Sequence, residues 1–377
     1  MFTKNKLVIA VASAVALAGV AHADMVVKLG QVSPMSGGIA HLGKDNEAGA
    51  KMAIEEANAK KIKIGGQVVT FQLVSEDDAA DPKTATVVAQ KLVDAGVKGV
   101  VGHLNSGTSI PASKIYSDAG IPQISPSATN PKYTQQGFKT TFRVVANDVQ
   151  QGTAMGSFAI KNLKAKTVAI IDDRTAYGQG LADEVEKAVK AAGGKVVARE
   201  FGTDKTTDWS AVLTSIKAKA PDVVLYGGMD ATAGPQVQQM KRLGLKAKYV
   251  VGDGGCTGEM IKLAGDGMSG DVYCTEAGVP RAMMPKGKDF EKRFKAKFGM
   301  DIQIYAPYEY DAMNAIIEAM KQADSVEPAK YLPKLAAIKM AGVTGTISFD
   351  AKGDIKGGAV TVKQFTNGAW KDVQVVK

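Results

Sequence analysis

Two short polar stretches carry the residues best suited to chemistry: Gly102-His103-Leu104-Asn105-Ser106-Gly107-Thr108 and Ser125-Pro126-Ser127-Ala128-Thr129. Each follows an apolar run that reads as a buried strand, Val97 to Val101 and Ile121 to Ile124, and each leads towards a helix-compatible segment. Open α/β sheets bind ligands at the carboxyl ends of their strands, so neighbouring strands of this kind bring two hydroxyl-rich turns together. Small hydroxyls and free backbone N–H groups at a helix N-terminus suit a small anion such as a carboxylate. The chemistry on offer is capture rather than catalysis.

Catalytic alternatives find little support. No Gly-rich phosphate loop is expected, with neither GxGxxG nor GxxxxGK[ST] read in the chain, and no GxSxG elbow for a serine hydrolase is read either. Beyond the N-terminal segment only His41 and His103 remain, a poor inventory for a metal site or a nucleophile–base pair. His103 reads as a structural turn residue and His41 as a surface one. Asp77-Asp78 and Asp172-Asp173 follow strands, where adjacent acids usually cap helices or turns. No cofactor and no metal is expected.

The elements that must position the two turns follow from the rest of the chain. With 377 residues, 45% of them hydrophobic and 23% charged, the chain has the composition of a globular protein with room for two domains. Lys4 and Lys6 precede an uncharged, apolar run from Leu7 to Val20, and Ala21-His22-Ala23 supplies small residues before a cut. That is the pattern of a secretory signal peptide cleaved after Ala23, and the run falls short of the roughly 20 residues that span a bilayer. Removing Lys4 and Lys6 leaves the chain basic, below its formal +9. The lysines are scattered, without an arginine cluster or interleaved aromatics, so no nucleic acid is expected. The chain is expected not to span a membrane. Cys256 and Cys274 are read as bridged in an oxidising compartment, with two buried free thiols as the other reading.

Strand and helix patterns alternate from Asp24 onward. Strands are read at Val26 to Val32, Val68 to Val74, Thr167 to Ile171, Lys195 to Ala198, Val223 to Tyr226 and Tyr249 to Val251. Helices are read at Lys44 to Lys60, from Asp81-Pro82 to about Ala95, around Ser113, at Gln150 to Lys161, and at Gly287 to Phe298, Tyr308 to Gln322 and Ala329 to Ala337. Gly345 to Phe349 and Ala359 to Phe365 read as closing strands with a Gly-rich turn between them. The rhythm restarts near Arg143 to Asp148. Short apolar strands alternating with helices imply parallel-rich sheets covered on both faces, and the restart implies two α/β lobes with several crossings.

The motifs GHLNSGTSIPAS, ISPSATNP, DDRTAYGQGLAD and VVLYGG, with the opening VVKLGQVSPMSGGIAHLGKD and the segment SEDDAADPKTA, run in one order over nearly the whole chain. In them the chain resembles the periplasmic leucine/isoleucine/valine-binding proteins that serve ABC importers. The resemblance implies the type I periplasmic-binding fold: two Rossmann-like lobes joined by a three-crossing hinge and closing over an amino acid. Lobe 1 is expected over residues 24–147 plus 277–349, lobe 2 over 148–276 plus 350–377. It also implies a periplasmic location, a free L-amino acid as ligand, and a monomer that docks on a membrane permease driven by cytoplasmic ATPase subunits.

Carried onto this sequence, the family's carboxylate site falls on Ser106 and Thr129. Its α-amine site falls on the backbone of Ser127 and on Asp253, where the family often has Glu; Tyr177 closes from the opposite lobe. Leu42, Leu104, Asn105, Ala128, Met229 and Tyr305 match positions around the ligand side chain. Desolvating a zwitterion requires that both charges be paired or hydrogen-bonded, which hydroxyls, turn N–H groups and one acid supply. Taken alone, Ser106 also reads as an N-cap, Tyr177 as a core aromatic and Asp253 as a turn former. Two departures stand out: the family's first-lobe disulfide positions hold Ala80 and Asn105, and Leu42 and Met229 stand where an aromatic is common. Another small carboxylate, an amide or an aromatic amino acid is the alternative ligand, and an exported hydrolase the alternative class.

Overall fold

Strand and helix alternate through residues 25–377, the part of the chain described by the computed structural model. The leader expected over residues 1–23 lies outside the described residues. One sheet is built from β1 (Met25–Ser33), β2 (Lys63–Ile64), β3 (Gln67–Asp77), β4 (Val100–Gly102), β5 (Gln123–Ser125) and β6 (Thr141–Arg143), in the spatial order β2-β3-β1-β4-β5-β6. All pair in parallel except β2, which is antiparallel to β3. The connecting helices are α1 (Ala40–Ala59), α2 (Pro82–Asp94), α3 (Ser106–Asp118) and the short α4 (Lys132–Gln135). Val100, Val101 and Ile124 are fully buried, as strands covered on both faces require. The Asp81 side chain accepts from the Thr84 N–H at 2.8 Å and Pro82 occupies the first helical position, which fixes the start of α2.

The second sheet contains β7 (Thr167–Asp172), β8 (Lys195–Phe201), β9 (Val223–Gly227), β10 (Lys248–Val251) and β11 (Val272–Glu276), all parallel. Its helices are α5 (Asp148–Ser157), α6 (Ala176–Ala191), α7 (Ser210–Ala218), α8 (Asp230–Leu243) and α9 (Gly258–Ala264). The chain then returns to the first sheet with α10 (Gly287–Phe298), α11 (Ala306–Ala323) and α12 (Pro328–Ala336). Gly49 of α1 lies so close to the Ala306 backbone that a Cβ would approach its oxygen to 2.4 Å. A small hairpin follows, β12 (Met340–Ala341) with β13 (Thr346–Ile347). The last strands, β14 (Val360–Thr366) and β15 (Ala369–Val376), join the second sheet antiparallel and complete the order β15-β14-β11-β10-β9-β7-β8.

The chain thus crosses between the sheets after β6, after β11 and after β13, and the three crossings are bonded to one another. Ala146 N–H donates to the Ala277 carbonyl at 3.1 Å, and Arg143 N–H to the Gly353 carbonyl at 2.9 Å. The fully buried Arg143 guanidinium pairs with Asp354 at 2.6 Å and donates to the carbonyls of Ala128 (2.9 Å) and Asn130 (3.0 Å). One side chain therefore links two crossings to the second of the polar turns. Gly353 has φ +94°, and a Cβ there would lie 2.1 Å from the Thr141 carbonyl oxygen, so the third crossing admits only glycine.

Both closing strands are present, and they pair with different neighbours: β13 with β12, β14 with β11 and β15, with an isolated bridge from Phe349 to Ile355 across the turn between them. One reading is corrected. The helix read from Gln150 starts earlier, at Asp148. Asn147 accepts from Val149 and Gln150 N–H, and the Gln150 side chain accepts from Asn147 N–H at 3.2 Å.

Candidate functional site

The two polar turns lie side by side, because β4 and β5 are paired neighbours. Asn105 is the N-cap of α3 and Ser106 its first residue, so the helix N-terminus with its unpaired N–H groups begins in this turn. Ser125 ties the turns together: its hydroxyl donates to the His103 carbonyl at 2.8 Å and accepts from Ala128 N–H at 2.9 Å. The Ser127 hydroxyl donates to the Leu104 carbonyl at 2.8 Å. Ser106 Oγ accepts from Asn130 N–H at 3.2 Å, which leaves its own proton free to donate. Below them His103 is fully buried between the Asp78 carboxylate (2.8 Å) and the Tyr116 hydroxyl (3.1 Å), a structural position.

Facing these hydroxyls across the crevice are acids of the second sheet. Asp253 follows β10 and is buried. Its carboxylate accepts from the Tyr177 hydroxyl (2.7 Å), Gln151 Nε2 (2.9 Å) and the Tyr305 hydroxyl (2.6 Å). Tyr177 and Gln151 belong to the second sheet's helices, whereas Tyr305 caps α11 on the first. The Tyr305–Asp253 bond therefore spans the two lobes. Burial, then the Asp253 charge, pushes both tyrosine hydroxyls well above their ordinary pKa, so they stay protonated donors. Gln151 is held in turn by Thr275, whose hydroxyl donates to Oε1 at 2.8 Å.

Behind Asp253 lies a second acid that sequence reasoning missed. Asp148, first residue of α5, is fully buried, and its Oδ2 has no hydrogen-bond partner. Burial and the neighbouring Asp253 charge push its pKa up to about 7. The fully buried Thr129 hydroxyl lies against this carboxyl and makes no well-aligned hydrogen bond within the protein. The site thus presents hydroxyl donors on one lobe and two carboxyls on the other.

The inner cavity, about 10 Å³, is lined by Leu104, Asn105, Ser106, Ser127, Tyr177, Met229, Asp253, Gly254 and Tyr305. It borders a cleft of about 750 Å³ between the lobes, which Asn105, Tyr177 and Met229 also line. The inner space alone holds about one water, so a larger guest must also use the cleft or part the lobes. Among the expected site residues, Ala128 and Thr129 are buried just behind this lining. Leu42 is different: it is fully buried in the hydrophobic core beneath α1 and lines neither space. Tyr305, expected on an apolar wall, also turns its hydroxyl onto Asp253, since a buried carboxylate needs donors.

Other expectations resolve as follows. Cys256 and Cys274 form a disulfide with Cα atoms 5.3 Å apart, pinning the loop that carries Asp253 to β11. Asp172 and Asp173 accept from the backbone N–H groups of Arg174 and Thr175, as turn formers. His41 is less a surface residue than expected, since its Nε2 lies 2.7 Å from Asp230 across the cleft mouth. Gly265-Asp266-Gly267-Met268-Ser269-Gly270 has the spacing GxGxxG, but it leads from α9 into β11 rather than from strand to helix, the setting a dinucleotide requires.

Comparison with known proteins agrees with this architecture. Residues 26–369 match the family model described as periplasmic binding protein. The chain is 38% identical to Leu/Ile/Val-binding protein homolog 1 of Brucella abortus, over 92% of both chains. It is 36% identical to the leucine-, isoleucine-, valine-, threonine- and alanine-binding protein of Pseudomonas aeruginosa, over 94% of both. The fold matches the leucine-binding protein LivK of Thermotoga maritima with TM-score 0.86 and 28% identity, covering 93% of this chain and 99% of that one. LivJ of Streptococcus pneumoniae, in complex with isoleucine, matches with TM-score 0.84, 28% identity and the same coverage. The sequence match and the shared fold agree, and the chain belongs to the periplasmic binding protein family.

Proposed function

We propose that this chain is an exported, non-enzymatic receptor that captures a free L-amino acid, with leucine, isoleucine and valine as first ligands. It delivers the amino acid to the membrane permease of an ABC importer, which is driven by cytoplasmic ATPase subunits. The receptor works as a monomer in the periplasm after cleavage of the leader at Ala23. Lobe 1 comprises residues 24–147 plus 277–349, and lobe 2 residues 148–276 plus 350–377. Among the described residues no helix is long and apolar enough to cross a membrane.

The observation that carries this reading is the division of polarity across the crevice. Ser106 and Thr129, with the α3 N-terminus, receive the ligand carboxylate. Asp253, held by Tyr177, receives the ammonium together with the Ser127 carbonyl, and Asp148 adds negative charge behind it. Leu104, Met229 and the ring of Tyr305 face the side chain, with Asn105 and Ala128 beside them. Neither charge is then desolvated without a partner. Contacts from both lobes exist only when the crevice is shut, so the ligand favours the closed form.

Calorimetry with leucine, isoleucine and valine tests the proposal. Binding in the micromolar range or tighter, about 8 kcal/mol or more, is expected for at least one. Absence of heat and of any thermal shift with all three contradicts it. Release of product from an ester or amide would instead favour the hydrolase reading.

A further inference from the structure

One residue beside the second polar turn is bonded to three separate parts of the molecule. Asn130 follows Thr129 and is buried. Its backbone N–H donates to Ser106 Oγ at 3.2 Å, and its carbonyl accepts from the hinge residue Arg143 at 3.0 Å. The side chain is fixed at both ends: Oδ1 accepts from Lys132 N–H at 2.9 Å, and Nδ2 donates to the Ala176 carbonyl of the opposite lobe at 2.6 Å. Ala176 opens α6 and precedes Tyr177, one of the donors to Asp253. One turn along α6, Gly180 makes room for this amide, since a Cβ there would lie 2.3 Å from Asn130 Nδ2. Charged side chains border the same seam without bonding to Asn130. Asp183 and Glu184 pair with Arg199 and Lys187 within the second lobe, and Lys132 offers Asn130 only its backbone.

We infer that Asn130 is a positioning residue that clasps the lobes together once Ser106 holds the ligand carboxylate, with Gly180 as the notch the clasp requires. This inference rests on the receptor reading above. The bond from Nδ2 to Ala176 exists only while the lobes are shut, so it stabilises the closed form. Asn130 lines neither the inner cavity nor the cleft, and it does this without touching the guest's side chain. The Ser106 hydroxyl accepts from Asn130 N–H while its own proton is free for the carboxylate, and hydrogen bonds in such a chain strengthen one another. Capture at Ser106 therefore firms the backbone from which the clasp reaches. Arg143 ties the same backbone to the hinge, which fixes where the amide stands as the lobes meet. A clasp of this kind sets how long an amino acid is retained, not which one.

Calorimetry and stopped-flow release of leucine, isoleucine and valine compare the full mature chain with Asn130→Ala, Gly180→Ala and the double variant. Asn130→Ala keeps the backbone N–H on Ser106 and deletes only the amide. It is expected to weaken all three ligands by the same factor, about fivefold, mainly through faster release. Gly180→Ala puts the better helix former into α6, so folding is kept, yet its methyl evicts the amide and costs about fivefold as well. The double variant is expected to match Asn130→Ala within about twofold, because no amide is left to displace. Gly180→Ala carries the measurement alone if Asn130→Ala does not fold. Native affinity in Gly180→Ala overturns the inference and leaves the receptor reading standing. So do losses that multiply in the double variant, or losses that differ by more than about threefold among the three ligands. Failure of the native chain to bind any of the three overturns both.

Discussion

The two faces of the crevice are built from opposite materials. The first-lobe face has hydroxyls, backbone groups and a helix N-terminus, with Ser106 and Thr129 buried among them. The second-lobe face has Asp253 and Asp148, fully buried and bridged by Gln151 Nε2, which lies 2.9 Å from the one and 3.4 Å from the other. A buried carboxylate is expensive unless paired, and two together are more so. The difference teaches why such a molecule closes on a zwitterion. In the proposed binding mode each end of the guest satisfies one lobe, and only a guest with both charges satisfies the two at once.

Removing the acid side of the comparison has the largest expected effect. Asp253→Asn leaves the ligand ammonium without its main counter-charge and lowers affinity at least a hundredfold, about 3 kcal/mol, by calorimetry. An affinity within threefold of the native value moves the ammonium site elsewhere. On the other face, Ser106→Ala removes one hydrogen bond to a charged group, a loss of roughly tenfold or about 1.5 kcal/mol. Equal binding by the two proteins would remove Ser106 from the site.

Acidity sharpens the contrast further. The folded pKa of Asp148, at about 7, lies above the ordinary carboxylate value because burial disfavours its charge. Its contribution to the stability of the free protein is therefore complete below the unfolded carboxylate range and is lost as pH rises through about 7. The ammonium on Asp253 favours the ionised form more than the ligand carboxylate, neutralised by Ser106, Thr129 and the α3 N-terminus, opposes it, so binding releases protons near neutrality, and affinity rises about fivefold from pH 5 to pH 8. Heats measured in buffers of different ionisation enthalpy report that release, and Asp148→Asn abolishes it. Native binding with no proton release at pH 7 would separate Asp148 from the ligand.

The smallest effect belongs to the cleft mouth. Burial works against the His41 imidazolium, but the Asp230 carboxylate across the cleft outweighs it and raises the pKa above the ordinary value. Glu259 and Asp45 act in the same direction. The pair holds the lobes together below the ordinary histidine range and lets go as pH rises through the raised value. His41→Ala weakens amino-acid binding about twofold at pH 6 and leaves it unchanged at pH 9. An effect that is the same at both pH values contradicts the pairing.

What the sequence discloses here is mainly local. Apolar runs ending in GHLNSGT and SPSAT give both the strands and the turns at their ends, because a buried parallel strand and its loop are contiguous. Asp81-Pro82 reads correctly as a helix start for the same reason. Long-range pairings leave no such mark: Arg143 and Asp354 are 211 positions apart, and their bond appears only when the crossings meet. Asp148 and Gln151 were equally silent, since nothing nearby shows that α5 enters behind Asp253. Leu42 sits on the face of α1 that turns to the core, a placement that its neighbours in sequence do not reveal. One omission was legible. Asn367-Gly368, both with positive φ, joins β14 to β15 by a two-residue turn, the strongest short hairpin signal.

A crystal structure of the chain grown with leucine tests the central claim most directly. The account predicts the amino acid between the lobes, its carboxylate on Ser106 and Thr129 and its ammonium on Asp253. A ligand seated outside the crevice, or one with both charged ends against the same lobe, would contradict it.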